Sequence, residues 1–543
     1  MKRWQWTLLG GTLVGVGGGY LALPHFIEWQ IHQKYPDVKI GRVEVSQGRV
    51  ILHNVIFDRG WVSGTVERVT TDWEGSQIEV EGGRVEVDLD AKPKGKSGDS
   101  KRDIQASGLT LRVKKGDYQV TVTEARTEEN LVCFDKAVLD KPEIVAETGC
   151  VHRDGSQVTA KLVVAPPMEV RGVSVGTVKA TDVKATVGSK SLSAGSVATV
   201  VTFEGQTLPV EATGVQAEHG EKDSLRMATV KTKHAWIAPD WITAENVVVT
   251  RDKGWTLSVG ESQIKVDPET LTFEGSETCA TWVKSLPKTL QPKPLDKLQL
   301  SGDASFKVQL RPKSTFSLKA NCKAVCKTLP DLRKPFSYTA YTAKRQPFER
   351  KTGPSTRDWL PIGATGEMPL AVVNMEDPGF NHHRGFIAQA FANSLTDNMK
   401  QGRFVRGGST ITMQLVKNLW LTREKTLGRK VQEFFLAQAV ETCYSKDDIL
   451  ELYLNVVEFG PDVYGVGAGA HHWFNHSPAS LTPTESFWLA GILPHPSRVG
   501  PPDEAALKRT QDLMEQLASN GRIPDFTSDI EAASGTAEWE TEP

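Results

Sequence analysis

Between about Lys39 and Lys327 apolar and polar residues alternate with a period of two, and from Met368 onward the apolar period lengthens to about 3.6. No other feature of the sequence constrains the fold so tightly. Side chains on a strand point alternately to two faces, whereas those on a helix return to one face every three to four residues. The switch therefore commits the first segment to a sheet and the second to packed helices. Runs such as Arg42 to Ser46, Arg49 to Val55, Gln77 to Val80, Arg84 to Asp90 and Tyr118 to Thr123 are rich in β-branched residues and bounded by Gly, Asp and Asn. They read as short, mostly antiparallel strands. A glycine followed by a strand recurs at Gly41, Gly83 and Gly302, which implies a loosely repetitive sheet rather than a compact barrel.

A chain of 543 residues exceeds one hydrophobic core, so two to four domains of roughly 100 to 200 residues are expected. Its 64 basic and 66 acidic residues leave a formal charge of -2, which gives no reason to expect a nucleic-acid partner and makes any anion site local. Trp4 to Pro24 carry no charge and follow Lys2 and Arg3. About 20 apolar residues cross a bilayer core, so residues 1–30 read as an uncleaved transmembrane anchor with the bulk of the chain outside; a cleaved signal peptide is the competing reading. The basic run Ala91 to Arg102 reads as an exposed loop, the Pro- and Lys-rich texture of 328–367 as a junction, and the acidic 521–543 as a disordered tail.

Six cysteines in a chain facing an oxidising space suggest disulfides. Cys133 and Cys150 flank a strand-turn-strand and form the first expected pair, with Cys279 and either Cys322 or Cys326 as the second. Cys322 and Cys326 have no second ligand pair at zinc spacing, and no metal site is expected at His382-His383 or His471-His472.

Chemistry concentrates in the helical part. Glu376 and Asp377 close the apolar run Pro369 to Met375 and precede Pro378-Gly379, which ends a helix and leaves two carboxylates at its mouth. A carboxylate at an apolar wall is desolvated enough to act as a base; an exposed helix-end acid is the blander reading. Gly407-Gly408-Ser409-Thr410 offers backbone N–H groups and hydroxyls for an anion or for capping the helix Ile411 to Leu419, on which Gln414 and Lys417 share a face. Lys425, Arg429 and Glu433 fall on one stripe of the next helix, either a surface ion-pair ladder or, facing Glu376, a second carboxylate with cations suited to glycosyl transfer from phosphate.

Together these runs resemble the peptidoglycan glycosyltransferases, glycosyltransferase family 51. Glu376-Asp377-x-x-Phe380-x-x-His383-x-Gly385 looks like the first signature, Gly407 to Thr412 with Gln414, Lys417 and Asn418 the second, and Arg429 to Glu433 with Ser445 to Asn455 the third. Tyr464 to Phe474 and Leu489 to Pro496 resemble the fourth and fifth. The resemblance covers the C-terminal third and implies a mostly α-helical, lysozyme-like domain over 368–520. That domain would polymerise lipid II on the outer face of the cytoplasmic membrane, releasing undecaprenyl pyrophosphate. It makes Glu376 the general base and places Glu433 at the pyrophosphate end, acting directly or through a divalent cation such as Mg2+ or Mn2+. It gives Lys417, Lys425 and Arg429 the phosphate charge, and has Asp377, Phe380, His383, Ser409, Thr410, Gln414 and Asn418 shape the substrate site. The β region over 31–327 resembles the AsmA-like envelope domains that follow a single N-terminal anchor.

Three positions depart from the family pattern: Met413 for a glutamine, Lys425 for an arginine, and Gln432 where some members have lysine. A lysine at 425 binds phosphate as a point charge rather than as a planar fork. Transpeptidase-like fragments at Ser285 to Lys288 and Lys351 to Gly353 precede the domain instead of following it, so a monofunctional enzyme is expected. The alternatives are a muramidase-like lytic enzyme, which has no need of the cations, and a lipid-transport or scaffold protein with an inactive transferase domain.

Overall fold

The computed structural model describes residues 19–91, 103–152, 155–170, 173–186, 188–203, 206–235, 237–309, 315–391, 393–394 and 408–526. The basic loop after Ala91, Gly407 and residues 527–543 of the acidic tail lie outside these residues. The chain forms two compact units, one of Met1–Thr232 with Asn246–Asp252, the other of Lys233–Glu245 with Lys253–Pro543.

The first unit is a long sheet. Its strands pair in sequence order and antiparallel, except that Gln77–Asp88 runs parallel to Asp103–Lys115. The small hairpin Met168–Val170 and Val173–Val175 is set between Gln157–Ala165 and Val178–Thr186, which also pair directly. Strands reach 13 residues, as in Asp103–Lys115 and Ser191–Phe203, and are longer than the sequence punctuation suggested. The reason is that several glycines read as breaks lie inside strands. A Cβ on Gly83 would sit 2.2 Å from the Thr65 carbonyl oxygen, so this position takes part in the ladder only because it lacks a side chain. Cys133 and Cys150 are direct cross-strand partners and form the expected disulfide.

The expected transmembrane helix is corrected by the structure. Among the described residues no helix is long and apolar enough to cross a membrane. Helix α1, Gly19–Lys34, begins near the end of the apolar run, contains Pro24, and continues through Glu28 and His32 to Lys34. Its apolar side turns inward: Ile27 is buried against Ile40, Val43 and Val50, with Leu23 and Ile31 alongside. Residues 1–18 lie outside the described residues. The fold class is thus a large, mostly antiparallel sheet region followed by an α-helical C-terminal part.

In the second unit Trp255–Val259, Ser262–Asp267, Thr272–Thr278, Asp303–Gln309 and Thr315–Ala320 pair antiparallel in that order. Helix α2, Cys279–Ser285, is capped by the Thr278 hydroxyl and tied to the sheet by Cys279–Cys322, one of the two pairings expected. The third disulfide, Cys326–Cys443, was not among the expected pairs; it joins residues 117 apart in sequence.

The helical part comprises α3 Met368–Glu376, α4 Ile411–Trp420, α5 Leu427–Cys443, α6 Lys446–Val456, α7 Val466–Phe474, α8 Pro483–Gly491 and α9 Glu504–Ser519. Local chemistry starts them. Thr410 and Thr426 cap α4 and α5, and Ser445 with Asp448 and Thr482 with Glu485 form capping boxes at α6 and α8. α3 packs on α8, and α4 on α5 and α6. Their shared core includes fully buried Met368, Ile411, Leu415, Leu436, Tyr453 and Phe487. The hairpin Phe336–Tyr341 and Pro347–Thr352 is held to this core by buried hydroxyls: Tyr338 donates to the Val456 carbonyl at 3.0 Å, and Tyr444 accepts from the Leu332 N–H at 2.8 Å.

Candidate active site

α3 stops at Glu376 because Asp377 precedes a proline and cannot keep helical geometry. The backbone turn sends the two carboxylates to different places. Asp377 is buried and accepts from His383 Nε2 at 2.9 Å and from the Ile411 N–H at 3.0 Å. His383 Nδ1 in turn accepts from the Gly385 N–H at 3.0 Å, which fixes the ring with its Nε2–H toward Asp377. Gly385 adopts φ +75°, and a Cβ there would lie 3.2 Å from the Ala437 carbonyl oxygen of α5, so the loop can press onto that helix only with glycine. Thr410 completes the lock by donating to the Gly385 carbonyl at 2.8 Å while accepting from the Met413 N–H at 3.1 Å. Phe380 is buried beneath, with Lys446 Nζ 4.2 Å from its ring centroid. Asp377, Phe380, His383 and Thr410 thus join the α3 mouth to the start of α4.

Glu376 is partly exposed. Gln414 Nε2 donates to its Oε2 at 2.6 Å, and Gln414 Oε1 accepts from the Tyr453 hydroxyl at 3.0 Å. Burial raises the Glu376 pKa above the ordinary carboxylate value, against the lowering pull of Gln414 and of the Lys417 charge. Tyr453 is fully buried, which raises its pKa well above the usual phenol value and keeps it a donor. Tyr453→Phe will leave Gln414 Oε1 short of its donor and cost about 1–3 kcal/mol, visible as a lower Tm. Asn418 Nδ2 bonds the Gln414 carbonyl at 2.9 Å and supports the helix rather than the cleft.

The second carboxylate lies on α5. Glu433 is fully buried; Arg429 pairs with its Oε1, and Lys430 Nζ with its Oε2 at 2.6 Å. Lys430 also donates to Ser409 Oγ, which draws the segment preceding α4 onto α5. Burial, then Arg429 and Lys417, push the Lys430 pKa down to about 7. Burial, then Arg429 and Arg423, push Lys417 down to about 8, with Glu376 pulling the other way, and burial lowers Arg429 to about 10. Lys417 feels both Glu376 and Arg429, so it is the electrostatic link between the two carboxylate clusters.

The sequence-expected residues therefore divide. Glu376, Gln414 and Lys417 form one cluster, and Ser409, Arg429 and Glu433 another. Lys425 is exposed and adds only a repulsive charge on Lys417. Met413 is fully buried and Gln432 nearly so, so these two departures from the family pattern alter the core and leave the cleft side unchanged. Lys430, Tyr453 and Arg423 were missed. Lys430 had a visible signal, since it stands three residues before Glu433 on the same helix. Arg423, bonded to Glu458 at 2.7 Å and to the Tyr464 hydroxyl at 2.9 Å, had none.

A divalent cation on Glu433 does not fit this geometry, because both carboxylate oxygens already face cations. Among the described residues no group of three His, Cys, Asp or Glu side chains is placed to hold a metal ion.

The site thus combines a partly buried carboxylate of raised pKa with a buried cluster of cations, linked electrostatically by Lys417. A sequence model of the family described as Transglycosylase matches residues 346–518. The biosynthetic peptidoglycan transglycosylase of Alcanivorax borkumensis is 41% identical over 180 residues, covering 32% of this chain and 73% of that protein. That of Aeromonas hydrophila is 38% identical over 169 residues, covering 31% and 72%. Against the Dechloromonas aromatica protein the identity is 41% over 141 residues, 26% of this chain and 61% of that one, so the chain spans less than two thirds of that relative. The chain belongs to the transglycosylase family, and is by that membership a peptidoglycan glycosyltransferase.

Proposed function

We propose that the chain polymerises lipid II into glycan strands, with Glu376 as general base and the cations around Glu433 receiving the leaving pyrophosphate. The observation that carries this reading is the raised, desolvated Glu376 coupled through Lys417 to Arg429 and Lys430. In the reaction, Glu376 takes the proton of the acceptor sugar 4-hydroxyl as its oxygen bonds the donor anomeric carbon. The bond from that carbon to pyrophosphate breaks with inversion, and the electron pair leaves on the pyrophosphate. Lys417, Arg429 and Lys430 offset that charge where water is excluded. Glu433 is a positioning residue: it holds Arg429 and Lys430 in place. The three disulfides support an oxidising compartment, and the proposed lipid substrate is consistent with work at the outer face of the cytoplasmic membrane.

The test is incubation of the detergent-solubilised full chain with labelled lipid II, and separately with preformed glycan strands. Polymer from lipid II supports the reading; no polymer, or cleavage of the preformed strands, overturns it. The profile of kcat/KM against pH will be bell-shaped. The acid limb follows ionisation of Glu376, raised by burial above the ordinary carboxylate range, and the alkaline limb follows loss of protons from Lys430 and Lys417 at about 7 and about 8. A profile flat from neutral to pH 9, about two units above the Lys430 value, would remove the lysines from the anion role.

A further inference from the structure

A cleft of about 1000 Å³ opens in the second unit on the side of α5 that carries Gln438 and Glu441. None of Glu376, Lys417, Arg429 or Glu433 lines it, and it meets the site described above only at His383. Residues 318–323 form one wall without a gap, and 381–384 form a second. A strand seen from one face shows every other residue, so an unbroken run marks its edge. That strand is Thr315–Ala320, which among the described residues pairs only with Asp303–Gln309. Its outer N–H and C=O groups have no strand beside them.

The charge of the cleft is one-sided. Lys319, Lys323, Arg384 and Lys446 line it against one carboxylate, Glu441, which already accepts from Lys446 Nζ at 2.9 Å and from the Thr412 hydroxyl. Lys319, Lys323 and Arg384 have no acidic partner among the described residues. Leu318 lies on the opposite face of the strand from Lys319, with Phe386 and Phe434, whose ring centroids are 5.0 Å apart. A strand completing this edge would carry acids on one face and an apolar side chain on the other. Residues 527–543 contain Asp529, Glu531, Glu538, Glu540 and Glu542 and no base, and the last three acids alternate with Trp539 and Thr541. The reach suffices. Arg522, just after α9, donates to the Asn374 carbonyl of α3 at 3.1 Å, and Asn381 of the cleft follows α3. From Asn374 to Asn381 the chain spans at most about 25 Å, and from Phe526 to Glu538 up to about 40 Å.

We propose that this cleft is the docking site of the chain's own acidic segment 538–543, which adds along the outer edge of Thr315–Ala320. Glu538, Glu540 and Glu542 meet Lys319, Lys323 and Arg384, and Trp539 covers Phe386 and Phe434. Lysines on an edge strand repel a second copy of the same edge, whereas an acidic strand turns that repulsion into attraction. Attachment to the same chain gives the segment a local concentration of about a millimolar, so a modest intrinsic affinity is enough to fill the cleft.

The experiment puts p-benzoylphenylalanine in place of Trp539 in the full-length protein and maps its photocrosslinks. Crosslinks within one chain to 318–323 or 381–388 are expected. Lys319→Glu with Lys323→Glu will lower their yield about tenfold, with Tm unchanged because both side chains are exposed. Adding Glu538→Lys and Glu540→Lys to that background will restore the yield. Crosslinks elsewhere or between two chains, or a yield indifferent to the charge reversal, would overturn the proposal. So would loss of the crosslinks to phosphatidylglycerol vesicles at constant ionic strength, which would assign the cleft to a lipid surface. No readout involves glycan polymerisation, so the outcome is independent of the proposed reaction.

Discussion

Glu376→Gln will lower the rate of glycan polymerisation by about 10²–10⁴-fold, the range that a positioned general base contributes. The substitution keeps the shape and leaves an oxygen for Gln414 Nε2 to bond, so donor and acceptor KM values should hardly move. Stability should move in the opposite direction from activity. Burial raises the Glu376 pKa, so the folded state holds its proton to a higher pH than the unfolded chain does. The favourable contribution is complete below the unfolded value and is lost as pH rises through the folded one. At neutral pH the ionised side chain therefore costs stability, and the neutral amide removes that cost. A Tm equal to or above that of the unsubstituted protein, together with the lost rate, separates a catalytic defect from a folding defect. An undiminished yield would take Glu376 out of the mechanism.

The same carboxylate shows how far the sequence could be read. That Glu376 ends a helix follows from Asp377-Pro378-Gly379, and the structure ends α3 there. That Asp377 turns inward to His383 and Ile411 could not be read, because their proximity depends on a loop closing over 34 residues of sequence. Periodicity separated sheet from helix along the chain, but glycines misled it. Gly83 looks like a turn residue in sequence and is a strand-interior residue where two backbones approach closely. The apolar N-terminal run misled differently: hydropathy counted residues up to Pro24, while the helix described starts at Gly19 and turns Ile27 onto the sheet. An i+4 spacing puts Lys425, Arg429 and Glu433 on one helical stripe, but α5 starts only at Leu427, so Lys425 lies before it. The helix instead uses i+3 for its second ion pair, so Lys430 lies against Glu433 and Lys425 is exposed. Pairings between distant cysteines have no local signal, which is why Cys326–Cys443 went unread while the cross-strand pair Cys133–Cys150 was found.

Glu433→Gln will destabilise the protein by about 3–5 kcal/mol, the cost of removing one partner from a buried ionic cluster. The reason lies in what remains. Arg429 and Lys430 keep their burial but lose the only carboxylate among the described residues that pairs with them. Lys430, already lowered to about 7 beside two other cations, can shed its proton; Arg429 cannot, and stays charged in a desolvated site. Adding Lys430→Met to Glu433→Gln removes a buried amine that has lost its carboxylate partner and should restore part of the lost stability, a coupling that a double-mutant cycle measures directly. Polymerisation should not return with it, because the cations that meet the pyrophosphate would then be fewer. Recovery of Tm without recovery of rate is the result expected if Lys430 itself serves the leaving group; recovery of both together would take Lys430 out of the anion role.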